Sequence, residues 1–289
     1  METFLIFVER NNVNEQSAYH QHQFDFLGAV ALFVGLLVGL GIVGIYTVIA
    51  LQIMKVSPEV LQSNMLYAII SYVVTLLFPI LAYDLIAVRS KGQKLRFNFK
   101  SSSFKVYLLV FPLMFGMMLI SEYFTELIPT EGPLFGDWYK TFSNTISTMA
   151  EDSMGIIILT SLMAPLLEEI LFRGIIQKGL MNGGMKPINA IVLSAFIFGI
   201  FHMNPWQFVG AFLLGLVLGL VYYRTQSLLM AILLHAFNNF ISSLIIINTK
   251  TENFGDFFKL PEILILILGA IIFSVFYYLF VVKFKSKTI

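Results

Sequence analysis

Eight predominantly apolar runs, at residues 26–54, 65–88, 104–120, 154–178, 187–202, 206–223, 228–247 and 263–282, constrain this 289-residue chain more than any other feature. A helix rises 1.5 Å per residue, so about 20 apolar residues cross a hydrocarbon core of about 30 Å. Runs of this length and number predict an all-α, polytopic integral membrane protein of about eight transmembrane helices around a conical or bundled core. The run at 187–202 is the shortest. Composition agrees: 58% of the residues are hydrophobic and 12% charged, against about 25% charged in a soluble domain. The net charge of +1 supplies no field for nucleic acid, and the bilayer is the expected partner. With no cysteine, disulfides, thiolate catalysis and Cys-ligated metal are excluded.

Residues 1–25 are polar, without a basic segment or small-residue cleavage site, and read as a short tail before the first span. Residues 26–153 read as variable N-terminal helices with an acidic loop, 154–247 as a catalytic core, and 248–289 as a loop, a last helix and a basic tail. The first run carries Gly28, Gly35, Gly39, Gly41 and Gly44, which would let a neighbouring helix approach closely. Lys and Arg set the orientation. One side holds Arg89, Lys91, Lys94, Arg96, Lys100 and Lys105, then Lys178, Lys186 and Arg224, with Arg10 and Lys283, Lys285 and Lys287 at the ends. The opposite side holds only Lys55, Lys140, Lys250 and Lys259. Both termini are therefore expected in the cytoplasm. The lean loops and compact length fit a bacterial cell membrane. The acidic loop 121–153 is expected to lie outside, with a short surface helix at 138–146.

Within the fourth run, Glu168, Glu169 and Arg173 interrupt the apolar pattern. Each charge at the centre of a membrane helix costs at least about 2.5–3.5 kcal/mol, so three in six residues need a cause. Glu169 and Arg173 are i,i+4 on one helix face and pair. Glu168 lies about 100° round the helix, outside that pair. Two further polar pairs have the same spacing: Phe198 with His202, and His235 with Asn239. The fourth and fifth runs form a hairpin at Gly183-Gly184, which brings Glu168 and His202 to similar depth. His235 lies eight residues past Ser227, about 12 Å below the surface. Glu168, His202, His235 and Asn239 thus converge in the membrane.

A carboxylate and an imidazole can deprotonate and orient a water. A second imidazole with an amide can stabilise an oxyanion. The same Glu168, His202 and His235 could instead ligate zinc, leaving a site for water, although the H-E-x-x-H pattern is absent. Taken singly, a membrane histidine, a Glu–Arg pair and an Asn-Asn are helix-to-helix glue. Gly210, Gly215 and Gly219 read as packing glycines, and Phe172, Phe198 and Phe201 as cavity walls.

These residues resemble the CAAX protease and bacteriocin-processing family, also called the Abi family. Its motifs stand here as Glu168-Glu169-Ile170-Leu171-Phe172-Arg173, Phe198 to His202, and His235 to Asn239, in order, within about residues 160–242. The resemblance implies an intramembrane endopeptidase. It implies Glu168 as general base, His202 assisting it on the water, and His235 with Asn239 as the oxyanion site. Glu169, Arg173 and Phe198 support them, with no cofactor. The substrate it implies is a peptide or lipidated protein in the membrane. Two rival readings use the same cluster without hydrolysis: a bacteriocin-immunity or scaffold protein, and a small proton-coupled transporter. Oligomeric state is not legible.

Overall fold

The computed structural model describes residues 22–251 and 253–283; most of the polar tail, and Lys285 and Lys287, lie outside them. Among the described residues there is no strand. In chain order the longer helices are α1 (Phe26–Ile53), α2 (Met65–Lys91), α3 (Phe104–Glu126), α4 (Gly136–Met149), α5 (Ser153–Asn182), α6 (Pro187–Phe201), α7 (Pro205–Thr225), α8 (Leu228–Thr249) and α9 (Glu262–Val282), with short helical turns at Pro58–Ser63 and Phe254–Phe258. Among α1–α9, all except α4 and α6 are long and apolar enough to cross a membrane, which makes the chain an all-α, multi-pass membrane protein. At 15 residues, α6 reaches only about 22 Å. Asn204-Pro205 explains the shortness: Pro205 starts α7, and Asn204 caps it by accepting from the Gln207 amide at 2.8 Å. The surface helix in the acidic loop exists and is α4, longer than the expected 138–146 at both ends.

Missing side chains decide which helices touch. A Cβ on Gly35 would lie 2.6 Å from the Phe78 carbonyl oxygen, and one on Gly39 would lie 3.1 Å from Thr75 Cα, so α1 lies directly on α2. Gly41 and Gly44 have nothing within 4 Å and do not serve that contact. Gly116 and Gly269 do the same for α3 and α9, where a Cβ on Gly116 would sit 2.6 Å from the Phe273 nitrogen. Two apolar clusters result. Ala31, Leu76, Tyr83, Phe172, Ile175 and Phe198 join α1, α2, α5 and α6. Val110, Leu113, Leu218, Met230 and Phe280 join α3, α7, α8 and α9.

The helix that carries the glutamates is not uniform. In α5 the turn Ala164–Glu169 is α-helical, between two wider π-helical stretches at Leu159–Met163 and Ile170–Gln177. Such wide turns concentrate at functional sites because they re-aim side chains.

The end of the bundle bearing the basic loops is closed. Phe97 packs on Gly174, and the Asn98 carbonyl accepts from the Leu228 amide at 2.7 Å. Buried His22 donates from Nε2 to the Ile175 carbonyl at 3.2 Å, and Phe24 packs on Gly179. Loss of solvent on burial pushes the His22 imidazole down to about 4, so it sits there neutral. The Lys91 ammonium, 2.6 Å from Asp25, holds that carboxyl below its ordinary value and fastens the same segment to α2.

Candidate active site

Glu169 and Arg173 are the best-buried charges among the described residues, both fully buried. Arg173 Nη1 donates to Glu169 Oε1 at 2.7 Å, as i,i+4 spacing predicts. Nη2 donates to the Gly215 carbonyl at 3.1 Å, and the guanidinium lies 4.7 Å from the Phe198 ring centroid. One turn further on, Gln177 Nε2 donates to the Gly219 carbonyl at 2.9 Å. Gly215 and Gly219 therefore do more than let helices pack: without Cβ atoms, their carbonyls are open to α5. A Cβ on Gly219 would stand 2.8 Å from Gln177 Oε1. Gly210 plays no such part; its nearest neighbour, Thr125 Oγ1, would be 3.9 Å away.

His235 meets both glutamates. Its Nδ1 donates to Glu169 Oε1 at 2.8 Å, and its Nε2 lies 3.6 Å from Glu168 Oε2. The imidazole is clamped by the carboxylate that Arg173 holds, and presents its other nitrogen beside Glu168. Helical spacing in α8 carries no information on which carboxylate of α5 the ring meets. His202 has a parallel arrangement. Its Nδ1 donates to the Phe198 carbonyl at 2.9 Å, because a carbonyl can only accept, so its Nε2 is the nitrogen left for other partners. The Phe198 ring is the hub of these groups, edge-on to His202 at 5.0 Å, to His235 at 5.6 Å and to Phe172 at 5.0 Å.

Glu168 is not without a protein partner, as its place outside the Glu169–Arg173 pair suggested. The Tyr72 hydroxyl of α2 donates to its Oε1. Tyr72 is the member of this cluster that motif reasoning missed. It is one of 12 tyrosines and stands 96 residues from its partner. Asn239 Nδ2 donates to the Thr160 carbonyl at 2.7 Å, while its Oδ1 accepts from Asn238 at 2.8 Å. That fixes the amide's orientation and leaves its second N–H available. Thr160 and Ser243 hydroxyls, 2.8 Å apart, close the same α5–α8 contact.

Tyr72, Glu168, Phe198, His202, His235 and Asn239 all line one cavity of about 910 Å³. Glu168 and His235 are 4% and 5% exposed, so the reacting space would be nearly dry at this end. The zinc alternative needs Glu168, His202 and His235 together. Among the described residues no three His, Asp or Glu side chains lie grouped as a metal site requires.

Residues 150–241 match the family model described as type II CAAX prenyl endopeptidase Rce1-like. Every motif residue from Glu168 to Asn239 lies inside the match; Tyr72 lies outside it. Comparison with curated proteins returned no match, and neither did comparison with solved structures. Over residues 150–241, about a third of its length, the chain is therefore similar to the Rce1-like type II CAAX prenyl endopeptidases, the group its three motifs resemble.

Proposed function

We propose that this protein is a membrane endopeptidase that hydrolyses a peptide bond of a membrane-associated substrate through a water activated by Glu168. The observation that carries the reading is the placement of Glu168. It is a buried carboxylate held by Tyr72, with His235 Nε2 3.6 Å away, at the inner end of a cavity large enough for a peptide segment.

The water gives a proton to Glu168 as its oxygen bonds to the peptide carbonyl carbon. The carbonyl π pair moves to oxygen. His202 Nε2 orients the water, and His235 Nε2–H with the second N–H of Asn239 donates to the oxyanion. The carbon–nitrogen bond then breaks, and Glu168 returns the proton to the leaving amine, so one water is consumed and an acid and an amine result. Glu169 and Arg173 hold His235 in place. With His235 doubly protonated, the two carboxylates, the imidazolium and the guanidinium are collectively neutral. Forming the tetrahedral state moves one negative charge from Glu168 to the oxyanion and leaves the total unchanged. A buried site of low dielectric favours such a route.

The test is a comparison of peptide termini in membrane fractions from cells carrying wild-type protein and Glu168→Gln at equal levels. At least one terminus disappears in the variant, with turnover down by about 10²–10⁴-fold. Unchanged termini sink the mechanism. In the same assay activity survives exhaustive chelation; loss on chelation with rescue by zinc overturns the metal-free route.

A further inference from the structure

The cavity is one-sided. It takes α3 from Met114 on, α5 from Ile156 to Glu168, and α7 from Trp206 to Leu218. It takes α8 from His235 on, the end of α6 at Phe198, Phe201 and His202, and the loop at 127–130. These helices run in both directions, yet the contributing stretch of each extends toward the same end of the bundle. No residue of 89–105, 178–187 or 224–228 lines it. At its rim Leu127, Pro129, Thr130 and Thr251 are exposed. Beneath Glu168 the space is filled by Phe172, Arg173, Ile175 and Gln177, and the segment at 22–25 and Phe97 cover that end.

Charge then assigns the two ends to compartments. The closed end carries Arg89, Lys91, Lys94, Arg96, Lys100, Lys105, Lys178, Lys186 and Arg224; the open end carries Lys55, Lys140, Lys250 and Lys259. Basic residues near span ends stay in the cytoplasm. Independently, the open end carries an aromatic belt. Trp206 is 4% exposed and is surrounded by Tyr139 at 5.0 Å, Trp138 at 5.8 Å and Phe142 at 5.9 Å between ring centroids. Three of these four are Trp or Tyr, the residues that settle at the membrane–water boundary. One wall of the cavity is α4, through Tyr139, Phe142, Ser143, Ile146 and Met149. The mouth thus lies at that boundary.

From these observations we infer that the site is reached from the non-cytoplasmic face. Its substrate is a membrane-anchored polypeptide whose cleaved bond lies at the outer interface, not a tail presented from the cytoplasm. The nature of the substrate rests on the proposed hydrolytic function; the side of access does not.

The natural absence of cysteine makes the test direct. Thr130→Cys marks the rim, Ser242→Cys the cavity, and Ser103→Cys the basic loop, each as the single thiol of the full-length protein in intact cells. Cells are blocked with a membrane-impermeant methanethiosulfonate, then lysed and labelled with a fluorescent maleimide. Blocking abolishes later labelling of Thr130→Cys and Ser242→Cys and leaves Ser103→Cys fully labelled. Protection of Ser103→Cys alone, with Thr130→Cys and Ser242→Cys still labelled, overturns the orientation. Blocked Thr130→Cys with unblocked Ser242→Cys that labels from inverted vesicles overturns the outward opening. Repeating the series in a Glu168→Gln background gives the same pattern. The side of access is thereby decided even for a protein that cleaves nothing, and the hydrolytic reading stands or falls by its own assay.

Discussion

The two halves of α5 solve the same problem in opposite ways. Toward its start, Ile156, Leu159, Thr160 and Ala164 form a wall of the cavity, and Glu168 closes that stretch with Tyr72 and His235 for company. Beyond it, Phe172, Arg173, Ile175, Ile176 and Gln177 are sealed by α7, the basic loop and the segment at 22–25. Both halves read as one apolar run. A polar side chain in a membrane either exhausts its hydrogen bonds on protein or faces a polar cavity. Arg173 and Gln177 are held by protein carbonyls, although Arg173 Nε and Gln177 Oε1 find no partner, and Glu168 faces the cavity. Substitutions in the sealed half should therefore cost the fold, and those at the cavity should cost chemistry.

Arg173→Met gives the largest expected loss on the sealed side. It takes the cation from the buried Glu169 carboxylate, leaving His235 Nδ1 as its donor, and about 3–5 kcal/mol of stability goes with it. The yield of monodisperse protein in detergent and its thermal midpoint both fall; an unchanged midpoint breaks the contrast. Next comes Gly219→Ala, whose Cβ meets Gln177 Oε1 at 2.8 Å and Ile191 Cγ2 at 3.0 Å, for about 1–3 kcal/mol. Gly41→Ala is its control, with nothing within 4 Å, and shifts the midpoint little. Equal shifts in the two would show that helix propensity, not the α5–α7 contact, sets the effect. The smallest change is Tyr72→Phe. Losing one hydrogen bond to a carboxylate lowers kcat by about tenfold. The thermal midpoint stays put, because Tyr72 belongs to the cavity. A fall in midpoint without a fall in kcat would move Tyr72 to the sealed group.

Local spacing made part of this arrangement legible before any coordinates. Hydropathy marked the helices because lipid imposes a length. The i,i+4 rule marked Glu169 with Arg173 because both belong to one helix. Tyr72 on Glu168, Glu169 on His235 and Asn239 on the Thr160 carbonyl were not legible. Each joins two helices, and which faces meet depends on packing that no single helix encodes. The wide turns of α5 were equally hidden. No local spacing rule marks Ile170–Gln177 as a wider coil. The short α6 was foreshadowed by Asn204-Pro205, where an extended residue and a ring-locked one stop the chain regardless of the lipid thickness around them.

Arg173 to Gly215 and Gln177 to Gly219 span the same 42 residues and lie one turn apart on both helices. Equal offsets at both rungs mean that α5 and α7 run parallel there, toothed together with the pitch of the helix itself. Sliding one past the other by a single residue unseats both teeth at once. Tilting about them unseats neither. The two rungs consequently act as a ratchet beneath the glutamates, fixing the register of α5 against α7 more firmly than their angle.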